Sequence, residues 1–169
     1  MAFQQKVNIE QGFGVAGDIH LHAPFRSEAL IVSSGGKANV IGFAYTKNAS
    51  TNVAAVGGSI TTGTVFAGLM VNSKAQTTYG TAAGTLEPTL NVPNGQVADF
   101  CTMGDVVVNV TTACKVGDLL AYDTTTGELS TVAVGASAGS GKALVPNAVI
   151  YRYPVTASGG GLTVARLTN

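Results

Sequence analysis

The chain has 169 residues, enough for one domain with a well-buried core. Charged residues make up 11% of it, against a typical value of about 25%, and nine basic residues balance nine acidic ones. This balance leaves no positive field that would collect nucleic-acid phosphates, and so low a charge predicts that part of the surface is buried in an assembly.

Residues 1–28 are predicted to form an extended N-terminal arm. In FQQKVNIEQGFGVAG the apolar side chains are thinly spaced among Gln and Gly, and a proline follows in HAPF. The start lacks the basic and apolar stretches of a secretory signal, and no run of the chain is long enough to cross a bilayer. We therefore expect synthesis in the cytoplasm and no membrane partner.

Residues 29–169 are predicted to form a single all-β domain, a compact β-barrel or β-sandwich with at most a short helix. Short β-rich runs such as ALIVS, TVFAGLMV and LTVARL are divided by turn residues, and no segment sustains a helical period. In DVVVNVT, Val106, Val108 and Val110 alternate, so we expect them on one face. Residues 47–100 match no known pattern and are the candidate for an inserted lobe.

One short segment carries residues that could bind a metal. Asp18, His20 and His22 alternate, so on a strand they would share one face, but a site needs further ligands and the chain has no other histidine. Cys101 and Cys114 lack the local signatures of thiol enzymes and are expected to be buried thiols. We predict a protein that is not an enzyme, with no metal, cofactor or small-molecule substrate; an enzyme with a metal site on the face of Asp18, His20 and His22 ranks third among the functional hypotheses.

The stretch from Lys115 to Val132, KVGDLLAYDTTTGELSTV, is predicted to form a turn followed by a β-hairpin. Asp and Gly bracket its TTT loop, and Leu and Tyr side chains alternate along its first strand. The residues that define it are Val116, Gly117, Asp118, Leu120, Tyr122, Asp123, Gly127 and Leu129.

The pattern V-G-D-x-L-x-Y-D-x-x-T-G-x-L resembles the core hairpin of head-decoration proteins of the lambda type. The opening MAFQQKVN followed by GFGVAGD is similar to the start of phage structural cement proteins, and ALVPNAVIYRY with LTVARL is similar to their closing strands. The resemblance implies a β-tulip-like capsid cement, or decoration, protein of a tailed phage.

The resemblance also implies a function and partners. It implies a virion protein on the outer surface of an expanded capsid, which bridges neighbouring major capsid proteins and stabilises the head. It implies a homo-oligomer, with a trimer favoured over a dimer.

The arm is expected to contact the capsid by adding a strand to a neighbour's sheet, with Phe3, Val7, Ile9 and Phe13 as anchors. A frayed terminus is the alternative interpretation of this segment. The alternative function is a β-sandwich adhesion or carbohydrate-binding module of a phage tail, a fibre or a cell surface. Such modules usually offer aromatic binding platforms, whereas this chain has no Trp.

Overall fold

The computed structural model describes residues 14–20, 23–72 and 91–168. Within these ranges the chain forms nine strands and no helix, which confirms the predicted all-β class. The described residues include no helix that is long and apolar enough to cross a bilayer. The strands are β1 (Arg26–Val32), β2 (Ala44–Asn48), β3 (Val53–Val56), β4 (Thr64–Met70), β5 (Val97–Val110), β6 (Leu119–Asp123), β7 (Leu129–Val132), β8 (Lys142–Arg152) and β9 (Gly161–Leu167).

The strands close into two five-stranded rings that share β5. The first ring runs in the order β1, β3, β2, β4 and β5, and β5 pairs back with β1. The second ring runs in the order β5, β7, β6, β8 and β9, and β9 pairs back with β5. Of the two predicted forms the structure is thus the barrel, in which ring closure pairs the first and last strands of each sheet and leaves few open edges.

Strand β5 passes from one ring to the other at Gly104. Its residues up to Met103 pair with β1, and its residues from Gly104 onward pair with β9. Gly104 has a φ of +137°, and a β-carbon there would lie 3.0 Å from a ring carbon of Phe25. The sequence pattern shows two β-rich runs here, QVADF and DVVVNVT, with CTMG between them. The structure joins them into one strand of 14 residues.

Buried apolar side chains pack into two cores. The first core lies inside the first ring, whereas the second fills the second ring and extends to Ala44, Leu69 and Cys101 of the first ring. In the core of the first ring of strands, the aromatic side chains of Tyr45 and Phe100 meet edge to face, with centroids 5.1 Å apart. Val106, Val108 and Val110 all lie in the second core, as their alternation predicts. The other main members of the first core are Leu30, Val32, Ala54, Val56, Ala67, Met70 and Ala98. The second core is completed by Leu120, Tyr122, Leu129, Val145, Ile150, Ala165 and Leu167.

Residues 14–20, from the predicted arm, lie along the edge of β5 that faces away from β9. The amide of Gly17 donates to the carbonyl of Val107, and the amide of Val107 donates to the carbonyl of Asp18, both at 2.8 Å. Ile19 forms a β-bridge with Val106. The rest of the arm's N-terminal part, residues 1–13, lies outside the described residues, and so do residues 21–22.

Candidate functional site

The predicted metal-binding face is only partly within the described chain, since His22 lies outside it. Asp18 uses Oδ2 to accept the amide of Val15 at 3.0 Å, which closes a local turn. The backbone amide of His20 donates to the carbonyl of Asp105 at 2.8 Å. Within residues 14–20, 23–72 and 91–168, no three His, Cys, Asp or Glu side chains are grouped so that they could hold a metal ion.

The predicted hairpin lies at β6 and β7, which pair from Leu119 with Val132 to Tyr122 with Leu129. Its loop is held by Asp123, whose Oδ1 accepts the amides of Thr126 at 2.9 Å and Thr125 at 2.7 Å. These hydrogen bonds favour the ionised form and lower the pKa of Asp123. The Asp that begins the TTT loop therefore closes it, as turn chemistry predicts.

The hairpin loop also joins the second ring to the first. The Tyr122 phenol donates to the carbonyl of Gly58 at 2.9 Å, and the amide of Gly58 donates to the carbonyl of Thr124 at 2.7 Å. The amide of Ala44 donates to the carbonyl of Gly127 at 3.0 Å. We call these five residues the clasp. Burial raises the pKa of Tyr122, which keeps the phenol protonated as a donor.

The turn before the hairpin divides into a structural part and an exposed part. Gly117 has a φ of +96°, and its amide donates to the carbonyl of Ile150 at 2.8 Å. Asp118 accepts the amide of Lys115 through Oδ2, also at 2.8 Å. Val116 between them is exposed. Most of the family-like residues therefore shape the fold, and Val116 is the exposed large apolar side chain of the turn.

An ion pair that the sequence analysis did not identify lies on β5 and β9. Arg166 binds Asp105 through two hydrogen bonds of 2.7 and 2.8 Å. The Asp105 side chain is fully buried and that of Arg166 is 32% exposed. The guanidinium of Arg166 also stacks on the ring of Tyr151, with Cζ 3.4 Å from the centroid. What brings Asp105 and Arg166 together is their pairing across β5 and β9, and the amino-acid sequence alone does not reveal which strands pair.

The outside of the first ring carries exposed apolar side chains on adjacent strands. Ile31 of β1 is the cross-strand partner of both Val97 and Val53. Ile31 and Val97 are each about half exposed, at 49% and 52%. Neighbouring apolar side chains of this kind are more informative than single ones, because together they form a patch that a partner can cover.

The structure is that of an all-β protein with two closed rings joined by the clasp and with an exposed apolar patch on the first ring. The family model of structural cement proteins (E217 gp24/Pam3 gp6) matches residues 3–168. The chain belongs to this family, as the resemblance of its motifs predicts. Membership indicates a structural role in a phage capsid and points to a protein that is not an enzyme.

Among solved structures, the chain is similar to one from the capsid of Myoviridae phage XM1. The two share 17% of their residues with a TM-score of 0.65, and the match covers 100% of this chain and 99% of the other. At that identity the likeness shows the fold. No curated protein sequence matches the chain.

Proposed function

We propose that this protein binds the outer surface of an expanded phage capsid, bridges neighbouring major capsid proteins and stabilises the head. The observation that carries the proposal is the match of a cement-protein family over residues 3–168. Two rings joined by one continuous strand and by the clasp suit this role, because a stiff subunit transmits load between the proteins to which it binds.

The N-terminal arm is the proposed capsid contact. Its apolar residues Phe3, Val7, Ile9 and Phe13 all have odd numbers, so in an added strand they would face one side. Backbone hydrogen bonds to the coat protein's sheet edge would supply affinity, and these side chains would fill pockets along it. Residues 14–20 pair with β5 and tie the arm to the second ring.

We also propose that the protein acts as a homo-oligomer, with a trimer favoured over a dimer. Several copies held together make later contacts with the shell intramolecular, which raises avidity by roughly a hundredfold or more. The apolar patch of Ile31 and Val97 is the proposed contact between copies. Light scattering of the purified protein measures the mass of the oligomer. Ile31→Ser should reduce this mass, whereas Ile60→Ser should leave it unchanged, although Ile60 is about as exposed as Ile31.

The test of capsid binding mixes the purified protein with expanded, undecorated capsids and with unexpanded proheads, and counts bound copies after sedimentation. We expect saturable binding to the expanded shells alone, and we expect bound copies to raise the temperature at which filled heads release DNA. Absence of binding to any cognate shell would overturn the proposal and favour an adhesion module.

A matched pair of variants tests the arm. Val7→Ser with Ile9→Ser should weaken binding, since it removes two apolar side chains from the proposed contact face. Gln4→Ser with Asn8→Ser changes the opposite face of the same strand and should bind like the wild type. Equal binding by both variants would exclude β-strand addition through the odd-numbered face.

A further inference from the structure

The end of β8 presents a cluster of aromatic and arginine side chains at the surface. The Tyr151 ring lies beside two guanidinium groups, with the Cζ of Arg166 at 3.4 Å and the Cζ of Arg152 at 5.0 Å from its centroid. Tyr153 follows and is 42% exposed. Tyrosine and arginine are the residue types that most often dominate the binding energy of protein interfaces.

The buried carboxylate of Asp105 holds one side chain of this cluster, Arg166, in position. Asp105 is fully buried and holds Arg166 through two hydrogen bonds, and Arg166 in turn stacks on Tyr151. A bidentate pair of this kind sets the orientation of the guanidinium plane. Tyr151 is therefore held in place before any partner arrives, so binding would not have to order this side chain.

Arg152 carries the charge that is free for a partner. Asp105 compensates the charge of Arg166. In the part of the chain that the structure describes, the ion pairs are Arg166 with Asp105 and Lys47 with Glu28, so Arg152 has no acidic partner there. Arg152 is exposed and contacts the hydroxyl of Tyr151 at 3.5 Å. Among the described residues the guanidinium of Arg152 therefore pairs with no carboxylate, and it lies between two tyrosines.

The backbone of Tyr153 supplies an independent observation. It has a φ of +58°, a conformation that is unfavourable for a bulky side chain. The other non-glycine residues with positive φ among those described are Asn52 and Asn147, and asparagine tolerates this region well. A strained aromatic residue kept at an exposed position is typical of a functional site, where the side chain's placement outweighs its cost.

We propose that Tyr151, Arg152 and Tyr153 form a second capsid anchor, which binds a carboxylate-bearing segment of the coat protein. Arg152 pairs with the acidic side chain of that segment, and the two tyrosines cover the apolar residues next to it. This inference rests on the proposed capsid binding. A single free guanidinium suits one carboxylate, whereas nucleic acid would require several cations and the chain has a net charge of zero.

Arg152→Ala tests the charge, and Arg26→Ala is the matched control because it removes an exposed arginine from the first ring. Sedimentation with expanded capsids should show roughly fivefold or greater loss of affinity for Arg152→Ala, the size expected for an interface anchor, and wild-type affinity for Arg26→Ala. The wild-type affinity should fall as salt rises, and that of Arg152→Ala should fall less, because salt screens the pair that the variant lacks.

Tyr153→Gly separates binding from folding. Glycine adopts a φ of +58° readily, so the variant keeps this backbone while it loses the side chain, and its affinity for capsids should fall. A purely structural role for Tyr153 predicts unchanged affinity, whatever the change in melting temperature.

The outcomes distinguish this inference from the function on which it rests. Wild-type binding together with unchanged binding of Arg152→Ala and Tyr153→Gly would overturn the second anchor alone. A loss of oligomer mass in Arg152→Ala would also overturn it, because the cluster would then contact another copy. If the wild type binds no expanded capsid, the proposed function and this anchor are both wrong.

Discussion

Tyr122 of the second ring donates its phenol hydrogen to the carbonyl oxygen of Gly58 in the first ring, across 2.9 Å. Tyr122 is fully buried, so this hydrogen bond is shielded from water. It lies beside the amide of Gly58, which donates to Thr124 of the hairpin loop. The continuous strand β5 and the clasp thus both connect the two rings, and Lys37 adds a hydrogen bond from its ammonium to the carbonyl of Thr125 at 2.7 Å.

Removing the Tyr122 hydroxyl should weaken that connection. Tyr122→Phe leaves the carbonyl of Gly58 without its side-chain donor, which should cost about 1 kcal/mol of unfolding free energy. Tyr45→Phe is the matched control, because its hydroxyl donates to Val40 within the first ring at 3.1 Å. Denaturant unfolding measures the free energy of unfolding of both variants. Amide hydrogen exchange of the folded proteins should show faster exchange in the clasp for Tyr122→Phe but not for Tyr45→Phe. Faster exchange at the clasp in both variants would contradict the assignment.

A β-carbon at Gly127 should force the clasp apart. Gly127 has a φ of +78°, and the added atom would lie 2.7 Å from both the carbonyl oxygen of Ala44 and a methyl of Val56. Gly127→Ala should therefore cost about 2–4 kcal/mol, from backbone strain and overpacking together. Gly117→Ala has a similar φ of +96° but open space around its β-carbon, so about 1–2 kcal/mol is expected. Thermal unfolding measures both, and equal losses would exclude the steric explanation.

The all-β class, the hairpin and the alternating valines could be predicted because each depends on local chemistry. Turn residues such as Asp123 and Gly127 mark loops wherever they occur, and strand alternation shows which side chains share a face. The double ring could not be predicted, since it depends on Gly104 continuing a strand that the pattern breaks. The pair of Asp105 with Arg166 was missed for the same reason, because 61 residues separate its members and only strand register brings them together.

The loss of Arg166 should be among the most destabilising changes on the surface. Arg166→Ala leaves the buried carboxylate of Asp105 without its partner, which should cost about 3–5 kcal/mol. Arg152→Ala is the control, because it removes a guanidinium that also contacts Tyr151 but pairs with no buried acid in the described chain, and a change within about 0.5 kcal/mol is expected. Urea unfolding at neutral pH gives both values. The double variant Asp105→Ala with Arg166→Ala should lose less than the sum of the single variants.

Acid should weaken the hairpin loop through Asp123. Its pKa is lowered in the folded protein by hydrogen bonds from the amides of Thr126 and Thr125, so the ionised form stabilises the fold. This stabilisation is fully present above the unfolded pKa of about 3.9 and is lost as pH falls through the lower folded pKa. Asp123→Asn keeps an oxygen acceptor without the charge. It should be less stable than the wild type at pH 6, with the gap closing below about pH 4, and a gap that is constant with pH would exclude this cause.

Two truncations should separate the arm's proposed binding role from the structural role of the residues that follow it. The backbone bonds to the β5 edge come from Gly17, Asp18 and His20, and Ile19 bridges to Val106. Removing residues 2–13 keeps all of these bonds, so the melting temperature should stay near that of the wild type while capsid binding is lost. Removing residues 2–20 also exposes the edge of β5, which should lower the melting temperature and promote aggregation. If the shorter truncation still saturates expanded capsids, the arm is not the contact; if it melts as early as the longer one, residues 2–13 stabilise the fold itself.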